Sequence, residues 1–241
     1  MKLRIASSPF SADGPPGLML SPDGRDWCSV DGGSSGGTLR PAAIVLTGSM
    51  HERVSPLLDL RHGEPINLYA TPAVFEHLTL ALPVLPVLQQ YCGVCWHLLA
   101  VAGEQQEAGF SIDAWPQWSF TALHMQGAQD KPAGDDHPLH RAGGAIALSI
   151  RDSITGKHVL VLPFVPALPP VAAAAWGDAD CIVVCDGAAL EDNSPNGESA
   201  WTCMQALPAE RKFVFDRPHM STLAARHRGI EVACAGMALD V

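Results

Sequence analysis

Side chains able to hold a metal ion or move a proton gather at a few points of this sequence, mostly just after apolar runs. Glu52 follows the run Ala42–Leu46, Asp186 ends the run Asp180–Cys185, and Asp216 and His219 follow Lys212–Phe215. Asp135, Asp136, His137 and His140 form the densest group of this kind. Carboxylate combined with imidazole suits Fe(II) or Zn(II). Each group also has a simpler use. An unpaired carboxylate at the end of a buried strand is costly, so Asp186 either serves a site or caps the amides of the next turn. Glu52 is a site carboxylate or the salt-bridge partner of Arg53 or Arg61. Asp216 and His219 are separated by Arg217-Pro218, and the Asp135–His140 group lies in a glycine-flanked loop that also reads as solvated.

Cys92-Gly93-Val94-Cys95 has the spacing of a redox pair. A redox thiol needs a helix N-terminus to lower its pKa, and this pair follows a helix and precedes a strand. It reads as core thiols, as do Cys181 and Cys185. The segment Asp31–Thr38, DGGSSGGT, lacks the Gly-Lys-Ser/Thr ending of a phosphate loop and reads as a turn. No Ser-His-Asp set stands at a recognisable spacing.

The elements that must position these groups alternate between strand and helix. Strands are expected at Lys2–Ala6, Gly17–Leu20, Arg25–Val30, Ile66–Ala70, Trp96–Ala102 and Phe110–Ile112. Further strands are expected at Ser119–Met125, Ala145–Ile150, His158–Leu162, Asp180–Cys185, Lys212–Phe215 and Ile230–Ala233. A short helix starts within Val54–Leu60. A longer one is capped by Thr71-Pro72 and runs to about Gln90, with kinks at Pro83 and Pro86. Ala172–Trp176, Trp201–Leu207 and Ser221–Arg228 complete the helices. Such alternation in both halves predicts a layered α/β sandwich forming one domain over residues 1–241, with the candidate groups on its rim.

Composition narrows the function classes. The 241 residues are 47% hydrophobic and 17% charged, enough for one large core. A net charge of −10 disfavours nucleic acid and anionic membrane surfaces as partners. The uncharged stretches Val159–Trp176 and Leu78–Ala102 are interrupted by prolines, so no membrane span is expected. Seven cysteines behind a start that reads as a strand, MKLRIASS, point to a reducing cytoplasm.

Several segments together resemble the pyrroloquinoline quinone (PQQ) biosynthesis protein B family, a branch of the metallo-β-lactamase superfamily. LTGSMHERVSPLLDLRHGEPINLYATPAVFEHL (Leu46–Leu78) is similar to the family's strand, Gln-x-Asp-His loop, Gly-Leu-Leu helix and Tyr-x-Thr-Pro-Ala-Val segment. VLQQYCGVCWH (Val87–His97) resembles its LxxYxGVxWH stretch, and LHRAGGAIALSIRDSITGKHVLVLP its His-Arg turn and hairpin. ADCIVVCDG matches the strand ending in Asp-Gly, and GIEVACAGMALDV the family's close. The resemblance is collinear over most of the chain and implies an αββα sandwich.

The departures fall on the chemistry. Glu52-Arg53 stands where the family has Asp-His, and a guanidinium has no lone pair to offer a metal. FVFDRPH replaces the strand ending in His-Ile-Asn-Asn-Thr-Asn, which puts Asp216 near the place of an imidazole. SSPFSADGPPG takes the place of a cysteine-rich zinc segment, and the Gly-His-Leu-Pro turn is not recognisable between Asn193 and Met204. Asp186 is the plain match. The resemblance implies a role in PQQ biosynthesis on PQQ or its tyrosine-glutamate-derived precursor, through iron-dependent oxygenation in members with intact ligands. Here Asp186, Glu52 and Asp216, with His140 or His219, would hold Fe(II) or Zn(II). The alternative is a metal-free binding or carrier protein that assists transport to the periplasm, with Arg53, Arg141 and Arg217 pairing with the ligand's carboxylates. Monomer and homodimer both stay open.

Overall fold

Period-two burial and short continuous apolar runs build the strands of this computed structural model, which describes residues 1–6, 17–32, 40–101, 107–125, 143–165, 178–187, 190, 197–215, 220 and 222–241. Among the described residues, two seven-stranded sheets form. The first has the order β14 (Ala238–Asp240), β1 (Lys2–Ala6), β2 (Gly17–Ser21), β3 (Cys28–Val30), β4 (Ala43–Val45), β5 (Ile66–Ala70) and β6 (Val94–Leu98). The second runs β13 (Glu231–Ala233), β12 (Ala209–Phe215), β11 (Ala179–Val184), β10 (His158–Leu162), β9 (Ile146–Asp152), β8 (Trp118–His124) and β7 (Glu107–Phe110). Strands β3 to β6 are parallel, as are β10 to β13.

Three buried layers follow from side-chain alternation on these strands. Leu3, Ile5, Leu18 and Leu20 of the first sheet pack against Phe120, Leu148, Ile150, Val161 and Phe213 of the second. Ile44, Leu68 and Ala70 point the other way, onto Val54, Leu57, Val74, Leu78 and Leu88. Those residues belong to α1 (His51–Val54), a 3-10 turn (Ser55–Arg61), α2 (Pro72–Leu80) and α3 (Val84–Tyr91). On the far side, Leu160, Ile182 and Val214 meet Trp201 and Met204 of α4 (Gly197–Ala206) and Ala225 of α5 (Thr222–His227). The order helix, sheet, sheet, helix is the expected αββα sandwich.

The differences from expectation have local causes. The long helix after Thr71 is two helices bent by 79°. Thr71 caps the first by accepting from the Val74 N–H at 3.3 Å, and Pro83 precedes the second. Pro86 sits in that helix's first turn, where a missing N–H costs nothing, so it produces no kink. Strands β6 and β7 lie a few residues earlier than their apolar runs suggested. The closing strand β14 was not expected; it exists because β1 offers it an edge. Ala172–Trp176 lies outside the described residues. Among the described residues no single helix is long and apolar enough to cross a membrane.

Candidate functional site

Strands from both sheets end along one rim of the sandwich. There β3 gives way to Asp31, β4 to Thr47, β10 to Pro163, and β11 to Cys185 and Asp186. The two sheets are tied together at this point. The Ile146 N–H donates to the Thr47 carbonyl at 2.9 Å, and Gly48 and Ala145 form an isolated antiparallel bridge.

At the centre of the rim lies a buried ion pair. Asp31 adopts a left-handed φ of 57°, and its backbone N–H donates to the Val45 carbonyl at 3.0 Å. That turn aims its carboxylate inward. The Thr47 N–H donates to Asp31 Oδ1 at 2.7 Å, and the Thr47 hydroxyl to Oδ2 at 2.6 Å. Arg53 enters from α1, and its Nη1 donates to Asp31 Oδ2 at 3.0 Å and to Thr47 Oγ1 at 3.1 Å. Its Nη2 donates to the Pro163 carbonyl, so one guanidinium joins both sheets. Gly32 has a φ of 65°, and a Cβ there would fall 2.7 Å from the Arg53 carbonyl oxygen. Only glycine lets the β3 turn lie against α1 so closely.

Burial works against the charge on Arg53, but Asp31 first, with Asp186 beyond it, favours it enough to raise its pKa. The guanidinium is therefore a permanent cation here. Burial pushes the Cys185 thiol well above its ordinary range, so it stays protonated. Asp186 is half-buried at the end of β11.

His124 is a second rim group. Trp118, Phe120 and Ala122 of β8 face the space between the sheets, and His124 continues that face at the strand's end. It pairs with Ile146 in the ladder, beside the Thr47 link. Its Nδ1 accepts from the Gly143 N–H at 3.4 Å, and burial holds its pKa below the ordinary histidine value. Gly143 in turn has its carbonyl bound by the Thr71 hydroxyl at 2.6 Å.

Of the groups expected from the sequence, the structure brings Arg53 within electrostatic reach of Asp186 and turns Glu52 out to solvent on α1. Arg53 pairs with Asp31, not with Glu52. Arg61, the other partner considered for Glu52, donates to the Leu58 carbonyl. His140, Arg141, Asp216, Arg217 and His219 lie outside the described residues, as do Asp135, Asp136 and His137. Sequence reasoning missed Asp31, which sits in a glycine-rich turn, and His124, an isolated histidine at a strand end. The signal for Asp31 was its place directly after an apolar strand.

The donor set described does not fit a metal ion at the Glu52–Arg53 position. Glu52 faces water, Arg53 fills the interior with a cation, and Asp31 already accepts three hydrogen bonds. Among the described residues no three His, Cys, Asp or Glu side chains gather as a metal would need.

The chain is 31% identical over 227 residues to the coenzyme PQQ synthesis protein B of Cupriavidus necator, covering 81% of this chain and 72% of that one. Over 234 residues it is 26% identical to the protein of the same name from Pseudomonas syringae pv. syringae, covering 83% and 73%. The Methylobacillus flagellatus protein of that name is 32% identical over 142 residues, and the match spans 45% of its length. No family model matches the chain. Among solved structures, Zn(2+)-bound PqqB from Methylobacterium extorquens superposes with a TM-score of 0.68 at 19% identity, covering 100% of both chains. The short form of human tRNase Z gives a TM-score of 0.64 at 14% identity, covering 100% of this chain and 99% of that one. The sandwich is the metallo-β-lactamase fold.

Proposed function

The chain belongs to the coenzyme PQQ synthesis protein B family and takes part in PQQ biosynthesis, and within that role we propose that its rim binds PQQ or the tyrosine-glutamate-derived precursor. The observation that carries this reading is Asp186 at the end of β11 within electrostatic reach of Arg53 on α1, with His124 at the end of β8 paired to Ile146, whose N–H donates to the Thr47 carbonyl. Strand ends on a sandwich rim are where this kind of fold presents polar groups to a small molecule.

What the residues supply is recognition. Arg53 and Asp31 set a fixed local dipole, and His124, neutral at pH 7, offers a ring nitrogen as donor or acceptor. Asp186 supplies a carboxylate to a hydroxyl or ammonium of the ligand. Arg141 and Arg217 are proposed to meet the ligand's carboxylates, where a bidentate guanidinium contact is strongest. With Glu52 turned to solvent, Asp186 and Asp216, with His140 or His219 as the imidazole, remain the proposed ligands for Fe(II) or Zn(II) and for the oxygenation that the family resemblance implies. The Glu52-Arg53 pair has no part in holding such a metal, because one side chain faces water and the other is a cation. Transport of PQQ has no observation behind it in this chain.

We further propose that the chain acts as one domain in a reducing compartment, the cytoplasm. Its cysteines are free where described, which suits such a compartment. The test is calorimetric titration of the full chain with PQQ and with the synthetic cross-linked tyrosine-glutamate precursor. Binding that weakens in His124→Ala and Asp186→Asn supports the reading; no binding of either compound rejects it.

A further inference from the structure

The rim buries one permanent positive charge, and that charge is covalently part of the chain. We propose that Arg53 is the resident cation of this half of the site, taking the charge-balancing place of a divalent ion between Asp31 and the end of β11.

Three observations point the same way. Both Asp31 oxygens are already met by donors, Oδ1 by the Thr47 N–H and Oδ2 by the Thr47 hydroxyl and Arg53 Nη1. The Pro163 carbonyl at the end of β10 is a hard oxygen ligand of the type a divalent ion would recruit, and it accepts from Arg53 Nη2 instead. Arg53 is only 7% exposed, and its guanidinium is met by the Asp31 carboxylate at 3.0 Å and by the Pro163 carbonyl, with Asp186 within electrostatic reach. A guanidinium presents several donors to oxygen ligands, as a cation does, but it cannot be chelated away. A buried carboxylate without a partner is strongly destabilising, so Arg53 performs the stabilising duty of an ion as well. The assignment stands whichever small molecule the rim binds.

The experiment uses the full chain stripped with EDTA, beside Arg53→Ala and Arg53→Lys. Thermal midpoints are recorded in chelator, in Zn(II) and, anaerobically, in Fe(II), and retained metal is counted by inductively coupled plasma mass spectrometry after desalting. Any difference between the wild-type midpoints in chelator and in Zn(II) is expected to persist in Asp31→Asn, because it comes from groups other than Asp31. Arg53→Ala is expected to melt lower and to recover part of the loss in Zn(II), which then meets an uncompensated Asp31. An ion present at about 100 times its Kd shifts the midpoint of a chain this size by roughly 5–10 °C, so recovery is measurable. Metal held by groups elsewhere would survive Asp31→Asn. Three results overturn the assignment: a wild-type midpoint that drops in chelator together with an ion released by Asp31→Asn, an Arg53→Ala protein as stable as wild type, or a destabilised Arg53→Ala that Zn(II) does not help. If Arg53→Ala fails to fold, Arg53→Lys serves: it keeps a cation, so it is expected to gain nothing from Zn(II), and a gain overturns the assignment.

Discussion

Asp31 and Arg53 are 22 positions apart and form an ion pair of 3.0 Å, with side chains only 6% and 7% exposed. The pair spans the ends of β3 and α1, and through the Pro163 carbonyl it reaches the second sheet. It decides what kind of rim this is, since the same space cannot also hold a metal ligated by those groups.

Removing one partner is therefore expected to cost far more than removing both. Asp31→Asn leaves a buried guanidinium without its counter-charge, a loss of about 3–5 kcal/mol. The paired change Asp31→Leu with Arg53→Met removes both charges and keeps volume, so it is expected to cost less than the two single losses together. Urea unfolding of Asp31→Leu, Arg53→Met and the double variant at pH 7 measures this. Additive losses would mean that the two side chains are not coupled.

A second prediction concerns pH. His158 is buried, its Nε2 lies 2.8 Å from the Ser149 hydroxyl, and its Nδ1 is 3.7 Å from Asp178. Burial first, and Arg151 next, lower its pKa, outweighing Asp178 and Asp180, which raise it. Burial lowers His124 in the same direction. The unfolded chain takes up these protons near pH 6.5 while the folded chain resists them, so protonation favours unfolding as the pH falls below that value. Stability is full above about pH 7 and declines as the pH falls below the ordinary histidine value. His158→Gln keeps a partner for Ser149 and is expected to flatten the decline; an unchanged slope in that variant removes His158 as its source.

Gly143 gives a third. Its φ is 77°, and a Cβ there would fall 2.2 Å from the Val101 carbonyl oxygen. Gly143→Ala must shift backbone that Thr71 and His124 both hold, and a left-handed non-glycine residue costs roughly 1–2 kcal/mol before the clash is counted. The expected result is a loss above that figure by chemical unfolding, with weakened PQQ binding as His124 is displaced. A variant as stable as the parent would mean the turn does not hold this geometry.

How far all this could be read from sequence depends on the range of the interaction. Lys2–Ala6, Ile66–Ala70 and His158–Leu162 fall where their apolar runs put them, because a strand's side-chain period is local. The Thr71 cap is legible for the same reason. Asp31 is different. Its neighbours spell a glycine-rich turn, and its role comes from Thr47 and Arg53, 16 and 22 positions away, meeting it only after β3 and β4 pair. Arg53 was legible as unable to ligate a metal, since that is a property of the side chain itself. Its burial and its counter-ion were not, because both belong to the packed rim.

The same distinction sets the last prediction, on which of Glu52 and Asp186 matters for ligand binding. Both are carboxylates near the rim by sequence, yet Glu52 is exposed on α1 while Asp186 is half-buried at the end of β11 within electrostatic reach of Arg53. An exposed side chain with no buried neighbour to lose changes stability by about 0.5 kcal/mol or less, so Glu52→Ala is expected to bind and fold as the parent does. Asp186→Asn is expected to weaken PQQ or precursor binding by roughly tenfold to a hundredfold, the effect of losing a charged hydrogen-bond partner. Calorimetric titration of both variants decides it. Loss of binding in Glu52→Ala alone would move the site to the outer face of α1 and detach it from the rim that Arg53 closes.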